Sequence, residues 1–362
     1  MAGHLGNAGL CTLRCHEWRL CCMIKANNIS VKTNKSAAAK TRQELVSMFV
    51  MAYNQVDFIE ATVRSAFAQT YEPLEIILSD DNSTDGTYEI MERLAAEYQG
   101  PHQIRLNQNQ ENLGFVGHLN SVFDLCHGVL IVYAPGDDIS HSDRAAELYQ
   151  AFYQDRPLLV HSDVNNMNQQ GNLTGVVSSR QSDLESMDLK AAAVSSSLGV
   201  GASCAWNPEI RDRFGPVEGK DNFDDLIFFF RAMMLDRMAH VPKPLVNYRL
   251  GAGLSRPKVT NNLKEGIAQE RKNCQRAVDT YRQRLKDCHI ARPERYDVIQ
   301  LLEKRLATKE YMLSLLEGSF RSVYQAAFSM QKLKVLLSLL NRIRKATPDR
   351  QKKRVQRASN TV

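Results

Sequence analysis

Three pairs of adjacent carboxylates stand out along this 362-residue chain: Asp80-Asp81, Asp137-Asp138 and Asp224-Asp225. Neighbouring like charges repel, so such a pair suits a core poorly unless a cation or a proton offsets it. Asp137-Asp138 follows the apolar run Val129 to Tyr133 and the turn Ala134-Pro135-Gly136. It can be a turn into the next helix with Ser140 as N-cap. It can also be a divalent-cation site for a diphosphate, because Mg2+ and Mn2+ take oxygen ligands and commonly bind through one or two carboxylates plus substrate phosphates. An ion there offsets charge on a departing phosphate. Asp80-Asp81-Asn82-Ser83 follows a second apolar run, Leu74 to Leu78. A carboxylate at that place can accept a hydrogen bond from a nucleobase N–H or a ribose hydroxyl, with Tyr53 as an aromatic wall. An Asx turn with Asp85 as helix cap is the plainer use. Asp224-Asp225 opens an apolar helical stretch, where the helix dipole favours acids. One of them could also serve as the general base that takes the proton of a sugar hydroxyl.

Such chemistry needs elements that deliver several loops to one edge. Val46 to Ala52 is almost unbroken apolar sequence, as expected of a strand buried on both faces of a parallel sheet. Phe58, Ala61, Thr62, Ser65, Ala66 and Gln69 recur at helical spacing, and the strand Leu74 to Leu78 follows Pro73. Strand, helix and strand make a right-handed crossover. The loops after the strands then share the edge at which open α/β sheets bind ligands. Asp85 is placed as the N-cap of a helix through Tyr88, Ile90, Met91, Leu94 and Tyr98. Further helices are expected over Phe115 to Cys126, His141 to Tyr153, Pro208 to Phe214 and Asp224 to Ala239. Strands are expected at Ile104 to Leu106, Leu158 to His161, Cys204 to Trp206 and Val241 to Arg249, with a hairpin over Asp163 to Gly175. Val176 to Ser197 shows no clear pattern.

Beyond Pro257 the sequence turns charged, and apolar residues recur at helical spacing from Asn261 to Arg344. Leu301, Leu302, Leu306, Tyr311, Leu313 and Leu316 form one stripe, and Val335 to Leu340 give a basic amphipathic end. From Asn341 to Arg357 eight Lys or Arg face one Asp. That is either a solvated tail or a patch for anionic lipid headgroups. The net charge of +6 is modest, so nothing beyond that tail suggests nucleic acid. Cys11, Cys15, Cys21 and Cys22 crowd the N-terminus with His4 and His16, in a spacing that fits no standard zinc finger. Cys126, Cys204, Cys274 and Cys288 read as small hydrophobes or surface thiols of a reducing compartment. No apolar run is long enough to span a bilayer, and no signal-peptide pattern is present. The expected location is the cytoplasm or the cytoplasmic face of a membrane. No Gly-x-Gly-x-x-Gly follows a strand, which disfavours a dehydrogenase.

The three acidic sites, in this order, resemble those of the GT-A-fold glycosyltransferases of family 2, of the bacterial cell-surface polysaccharide type. These are inverting transferases that use nucleotide-diphospho-sugars. The likeness is carried by Val46-Ser47-Met48-Phe49-Val50-Met51-Ala52-Tyr53-Asn54, by Ser65 to Tyr71, by Glu75 to Thr87 and by Asn112-Leu113-Gly114. It runs from Val46 to about Ser255. It implies an α/β GT-A nucleotide-diphospho-sugar transferase fold, a mostly parallel central sheet flanked by helices, with an all-α C-terminal extension. The implied division is a flexible N-terminal segment over 1–44, a catalytic domain over 45–256, a helical extension over 257–345 and a basic tail over 346–362.

By this resemblance Asp81 contacts the base, with Tyr53 and Ser83 beside it. Asp138 binds the divalent cation, Mn2+ or Mg2+, and Asp137 lies near the donor sugar or ribose. Asp224-Asp225 stands in the place of the family's Glu-Asp pair, so Asp225 is the implied base. Tyr248 to Ser255 resembles the motif Tyr-Arg-x-His-x-x-x-Ser, with Gly251 where His is expected. The implied reaction is a single displacement from a nucleotide-diphospho-sugar, a UDP-sugar being favoured, onto a glycan or lipid-linked acceptor hydroxyl. Surface polysaccharide or glycolipid synthesis is the implied setting. The basic helices suit peripheral membrane contact, or a homodimer. The alternative is a non-catalytic nucleotide-sugar-binding or scaffold protein on the same fold. A sugar nucleotidyltransferase would want a Gly-rich basic loop after the first strand, and Tyr53-Asn54-Gln55 is not one. Sugar, acceptor and linkage depend on Asp163 to Gly219, where the pattern is silent.

Overall fold

The computed structural model describes residues 43–219, 222–252, 262–319, 322, 325–326 and 329–345. The N-terminal cysteine cluster, the end of the late motif at Ser255 and the basic tail lie outside the described residues.

Strands β1 (Val46–Ala52) and β2 (Leu74–Asp80) are buried along their whole lengths. Their alternate residues feed two separate cores, which is why both read as continuous apolar runs. Val46, Met48 and Val50 pack with Ile59, Val63 and Ala66 of α1 (Ile59–Phe67), with Met91 and Leu94 of α2 (Thr87–Glu97), and with Ala145 and Leu148 of α4 (Arg144–Tyr153). Phe49 and Ile77 pack on the opposite face with Val116 and Leu119 of α3 (Gly114–Phe123) and Ile227 and Phe229 of α8 (Asp224–Met234).

The sheet order is β3 (Gln103–Gln108), β2, β1, β4 (Leu130–Pro135), β8 (Ala205–Trp206), β6 (Leu159–Met167), β9 (Met238–Arg249), β5 (Ile139–Ser140). Strand β7 (Leu173–Ser178) pairs with β6 as the expected hairpin. The run β3-β2-β1-β4 is parallel throughout. Strand β8 is antiparallel to both β4 and β6. The unpatterned stretch holds α5 (Gln181–Ser186) and α6 (Leu189–Val194), the second capped by Asp188 accepting from Ala191 N at 2.7 Å. Helix α7 (Glu209–Phe214) sits as expected.

Several local expectations are corrected. Asp85 is not the N-cap of α2: Gly86, at φ +95°, takes that place. The Asp85 carboxylate instead accepts from Thr87 N at 3.0 Å and from Val56 N at 3.1 Å, which ties two loops together. Ser140 is no cap either, since it lies in β5 and α4 starts after Asp143. The inward face of α1 is Ile59, Thr62, Val63 and Ala66, with Phe58 and Gln69 outside the helix. Helix α8 ends at Met234 rather than at Ala239. Asp236 takes a left-handed φ of +53°, and Arg237 N turns back to Ala232 O at 3.0 Å. Apolar composition carries on through this turn into β9, so it gave no sign of the break.

Helices α9 (Leu263–Ala291), α10 (Tyr296–Leu316) and α11 (Met330–Lys345) follow. Cys288, Val298, Ile299 and Leu302 belong to the same apolar cluster as Phe49, Phe228 and Trp206. The Trp206 indole stacks on Tyr133 at 5.6 Å and 21°. Arg231 of α8 and Asp287 of α9 form a bidentate ion pair at 2.7 and 3.2 Å, and both are fully buried. Removing one partner would leave a buried charge uncompensated, at a cost of about 3–5 kcal/mol. No helix among the described residues is long and apolar enough to cross a membrane.

Candidate active site

Parallel register brings the ends of β1, β2 and β4 to one edge: Ala52 lies beside Asp80, and Met51 beside Pro135. The loops beyond are sewn together by backbone and side chain. Asn54 N donates to Ser83 Oγ at 2.8 Å, Thr84 N to Asn54 Oδ1 at 2.9 Å, and Gln55 N to Thr87 Oγ1 at 2.8 Å. Asn54 and Asn82 have φ of +50° and +60°, a left-handed region that Asn tolerates better than most residues. Tyr53 projects from this edge with 48% of its surface exposed.

Asp80 and Asp81 are both buried. Asp81 Oδ1 accepts from Asn109 Nδ2 at 2.7 Å and Leu113 N at 2.9 Å, and Oδ2 accepts from Gly114 N at 3.0 Å. An ionised carboxylate offers roughly four acceptor positions, so one remains. The carboxylate therefore fixes the Asn-x-Gly loop. Asp80 Oδ2 accepts from Ser83 N at 2.8 Å, while its Oδ1 is buried without a partner. Behind them His118 is bonded to Ser79 Oγ at 2.7 Å. Burial pushes that imidazole down to about 4 against the pull of Asp81 and Asp80, so it is neutral at pH 7.

Asp137 and Asp138 are only 8% and 4% exposed. Their turn is held from two sides. Thr62 Oγ1 of α1 donates to Gly136 O at 3.0 Å and Asp138 O at 2.8 Å, as alternatives for one proton. Arg249, at the end of β9, donates its backbone N to Asp138 Oδ1 at 2.7 Å and its Nε to Asp137 O at 2.8 Å. Its Nη1 donates to Gln169 O at 2.8 Å, while its charge pulls both carboxyls down against burial. Burial raises both carboxyls, and Asp138 is lifted further by the charge of Asp137. Neither forms an ion pair among the described residues. Two buried carboxylates without a bonded cation, and with an oxygen of Asp138 to spare, fit a divalent ion. Among the described residues no set of three or more His, Cys, Asp or Glu gathers as a ligand cage. A site completed by substrate oxygens is the kind that these residues suit.

Asp224 and Asp225 occupy the first turn of α8. Asp224 lies against the turn Gly201 to Ser203, where a Cβ on Gly201 would meet its Oδ2 at 2.8 Å. Burial pushes Asp224 up to about 8, with Asp225 adding to the shift. Asp225 rises less, to about 6, because backbone N–H and the charges of Arg284 and Arg276 work against burial. Asp224 Oδ2 and Asp225 Oδ1 are buried without a hydrogen-bond partner. Burial thus lifts both carboxyls, Asp224 further than Asp225.

Asp224, Asp137 and Asp138 come together near Tyr133, whose phenol is raised by burial and by their charges. Below it lies Arg144, fully buried, donating to Tyr133 O at 2.7 Å, Ala202 O at 2.6 Å and Ser140 Oγ at 2.9 Å. The sequence therefore named the acids that converge, but it missed their supports. Arg249 sits in the late motif and could have been found there. Thr62 and Arg144 carry no sequence signal, since each looks like an ordinary helical residue. Gly251, in the place of the family's His, has φ +75° and accepts from Gln169 Nε2 at 3.0 Å. A side chain would be strained in that conformation.

A family profile described as Glycosyl transferase family 2 matches residues 47–210. The Escherichia coli UDP-Glc:alpha-D-GlcNAc-diphosphoundecaprenol beta-1,3-glucosyltransferase WfaP is 38% identical over 95 residues, covering 26% of this chain and 36% of that protein. The Escherichia coli chondroitin synthase is 32% identical over 143 residues, 39% of this chain and 20% of that one. The matched stretch thus spans little more than a third of the first relative and a fifth of the second. S. aureus TarS 1–349 in complex with UDP-GlcNAc has the same fold, with a TM-score of 0.52 at 14% identity over 84% of this chain and 82% of that one. The mannosyltransferase PcManGT from Pyrobaculum calidifontis, in complex with GDP-Man and Mn2+, gives 0.53 at 16% identity over 84% and 86%. With the family match over β1 to α7 and the fold shared beyond it, the chain carries a glycosyl transferase family 2 domain on a GT-A fold.

Proposed function

We propose that this protein is an inverting, metal-dependent glycosyltransferase. It moves a sugar from a nucleotide-diphospho-sugar, preferably a UDP-sugar, to a hydroxyl of a glycan or lipid-linked acceptor in surface polysaccharide or glycolipid synthesis. The observation that carries this reading is that Asp80-Asp81 and Asp137-Asp138 stand at the ends of neighbouring strands on one edge, with the fields of Asp137, Asp138 and Asp224 meeting at Tyr133. The nucleobase lies beside Tyr53, with Asp81 and Ser83 beneath it, and Asp137 faces the ribose or sugar. Asp138 would hold the cation. When bound, that ion supplies positive charge opposite the departing diphosphate. Asp225 takes the proton of the acceptor hydroxyl. The acceptor oxygen bonds to the anomeric carbon as the bond to the diphosphate oxygen breaks, and the configuration inverts. The bonding pair leaves with the nucleoside diphosphate.

Thermal-shift measurements with UDP, dTDP, GDP and CDP, each with and without Mn2+, test the donor site. One nucleotide, with UDP expected, should raise the melting temperature in a metal-dependent way, because a ligand of the native state stabilises it by mass action. No shift with any of the four would favour the scaffold reading.

The same reading places the protein in the cytoplasm, resting on a membrane through α11. Leu339 packs inward with Met312 and Cys274, flanked by Val335 and Ile343. Met330, Leu333, Leu337 and Leu340 form an exposed stripe. The helix has five Lys or Arg and no acid. Arg342 is paired with Glu270 at 2.9 Å, and the remaining cations would repel those of a second copy, whereas an anionic lipid surface complements them. The WfaP name, with its diphosphoundecaprenol acceptor, suits a membrane location. In flotation assays the full chain should rise with phosphatidylglycerol vesicles and stay behind with phosphatidylcholine. Leu333→Ser with Leu337→Ser should abolish flotation. Equal behaviour with both lipids, or a dimer that does not float, would refute this placement.

A further inference from the structure

The first long helix of the C-terminal region reaches the catalytic acids. Arg284 of α9 is fully buried. Its Nε and Nη2 donate to Leu226 O at 3.0 and 2.8 Å, and its Nη1 donates to Ala193 O at 3.0 Å and Ser195 O at 2.8 Å. Leu226 is the residue after Asp225. One guanidinium thus binds the end of α6, the first turn of α8 and α9 together. Each of these partners is a carbonyl, and none is a carboxylate. The positive charge therefore acts through space, on Asp225 and Asp287. Two turns earlier on the same helix, Arg276 lies over the Phe223 ring at 4.1 Å and adds to the field at Asp225. The other titratable groups around Asp225 are Asp224, on its own helix, and the Cys204 thiol, which burial keeps protonated.

A general base in this position faces two opposed failures. Buried with no compensation, it stays protonated and can accept nothing. Paired directly with a cation, its lone pairs are occupied and its basicity falls. Here Asp225 has positive charge nearby, yet its Oδ1 has no hydrogen-bond partner. We propose that Arg284 is a positioning residue for the transfer: it fixes the first turn of α8 through Leu226 O and supports the charge of Asp225 without taking up its Oδ1. This rests on the reading of Asp225 as the base, and it makes α9 part of the active-site architecture.

The test is a 13C NMR titration of the full chain labelled at the aspartate carboxyl carbon. The Asp225 signal is assigned by its loss in Asp225→Asn. In Arg284→Gln the midpoint should rise by about one pH unit or more, because a nearby opposite charge favours the ionised form. Arg284→Lys should restore most of the difference. Arg292→Gln is the control, since Arg292 also anchors α9 to α8, through Met234 O at 2.6 Å, at the far end of the helix. It should leave the midpoint unchanged. An unmoved midpoint in Arg284→Gln, or an equal rise in Arg292→Gln, refutes the assignment. If Arg284→Gln does not fold, Arg276→Gln must show a smaller rise in the same direction, and an unmoved midpoint there refutes it equally. Wild-type transfer by Asp225→Asn would overturn the base reading alone, because the titration is measured without substrate.

Discussion

Asp225→Asn is expected to lower kcat for sugar transfer about a thousandfold, within the range that a positioned general base contributes. The amide keeps the size and the place in the first turn of α8, but it cannot accept a proton. Binding of UDP with Mn2+ should stay at the wild-type level, because Asp225 is assigned no contact with the donor. The wild-type pH profile should rise from the acid side with a midpoint near 6, as the carboxyl that burial has lifted to about 6 becomes ionised. In Asp225→Asn that limb should vanish from the residual rate. A variant that keeps both the rate and the limb would remove Asp225 from the chemistry and turn attention to Asp224.

Asp138→Asn has the second large expected effect. The substitution keeps an acceptor for Arg249 N, so the turn should hold. It removes the charge that is to face the cation. The loss expected is several kcal/mol of transition-state stabilisation, about a thousandfold or more in kcat/KM. The metal-dependent thermal shift with UDP should disappear with it. Metal-free stability should move the opposite way. The folded-state pKa of Asp138 is raised well above the unfolded value near 4, so the native chain binds a proton that the unfolded chain releases. The stability this contributes is fully present below about pH 4 and is lost as pH rises through the folded value. At pH 8 without metal the variant should therefore melt above the wild type, and the two should converge toward pH 4. A variant that melts lower at every pH would mean that Asp138 is a structural residue of the turn.

Much of this site could be read from the chain because its parts sit where strands end. Val46–Ala52 and Leu74–Asp80 are apolar on both faces for a physical reason, two cores, and that reason leaves a plain pattern in sequence. The acids immediately beyond each strand then inherit a known location. What could not be read was whatever acts across distance. Arg144 opens α4 and Arg284 lies in the charge-rich α9, and an isolated Arg in either place reads as solvated. Their partners, Ala202 and Ala193, are 58 and 91 residues away and contribute only backbone carbonyls, which have no sequence signature. The same holds for Thr62, whose hydroxyl reaches Asp138 O from 76 residues upstream. The end of α8 was hidden differently, by apolar residues that continue from one buried element into the next.

The Trp206 stack has an optical consequence. Its indole lies parallel to the Tyr133 ring, and that phenol sits in the combined field of Asp224, Asp137 and Asp138. Indole emission responds to nearby charge through the large dipole of its excited state. The sequence has only one other tryptophan, Trp18. The protein thus carries a chromophore beside these acids, and a proton or cation arriving among the three of them should register as a change of colour and intensity without any label.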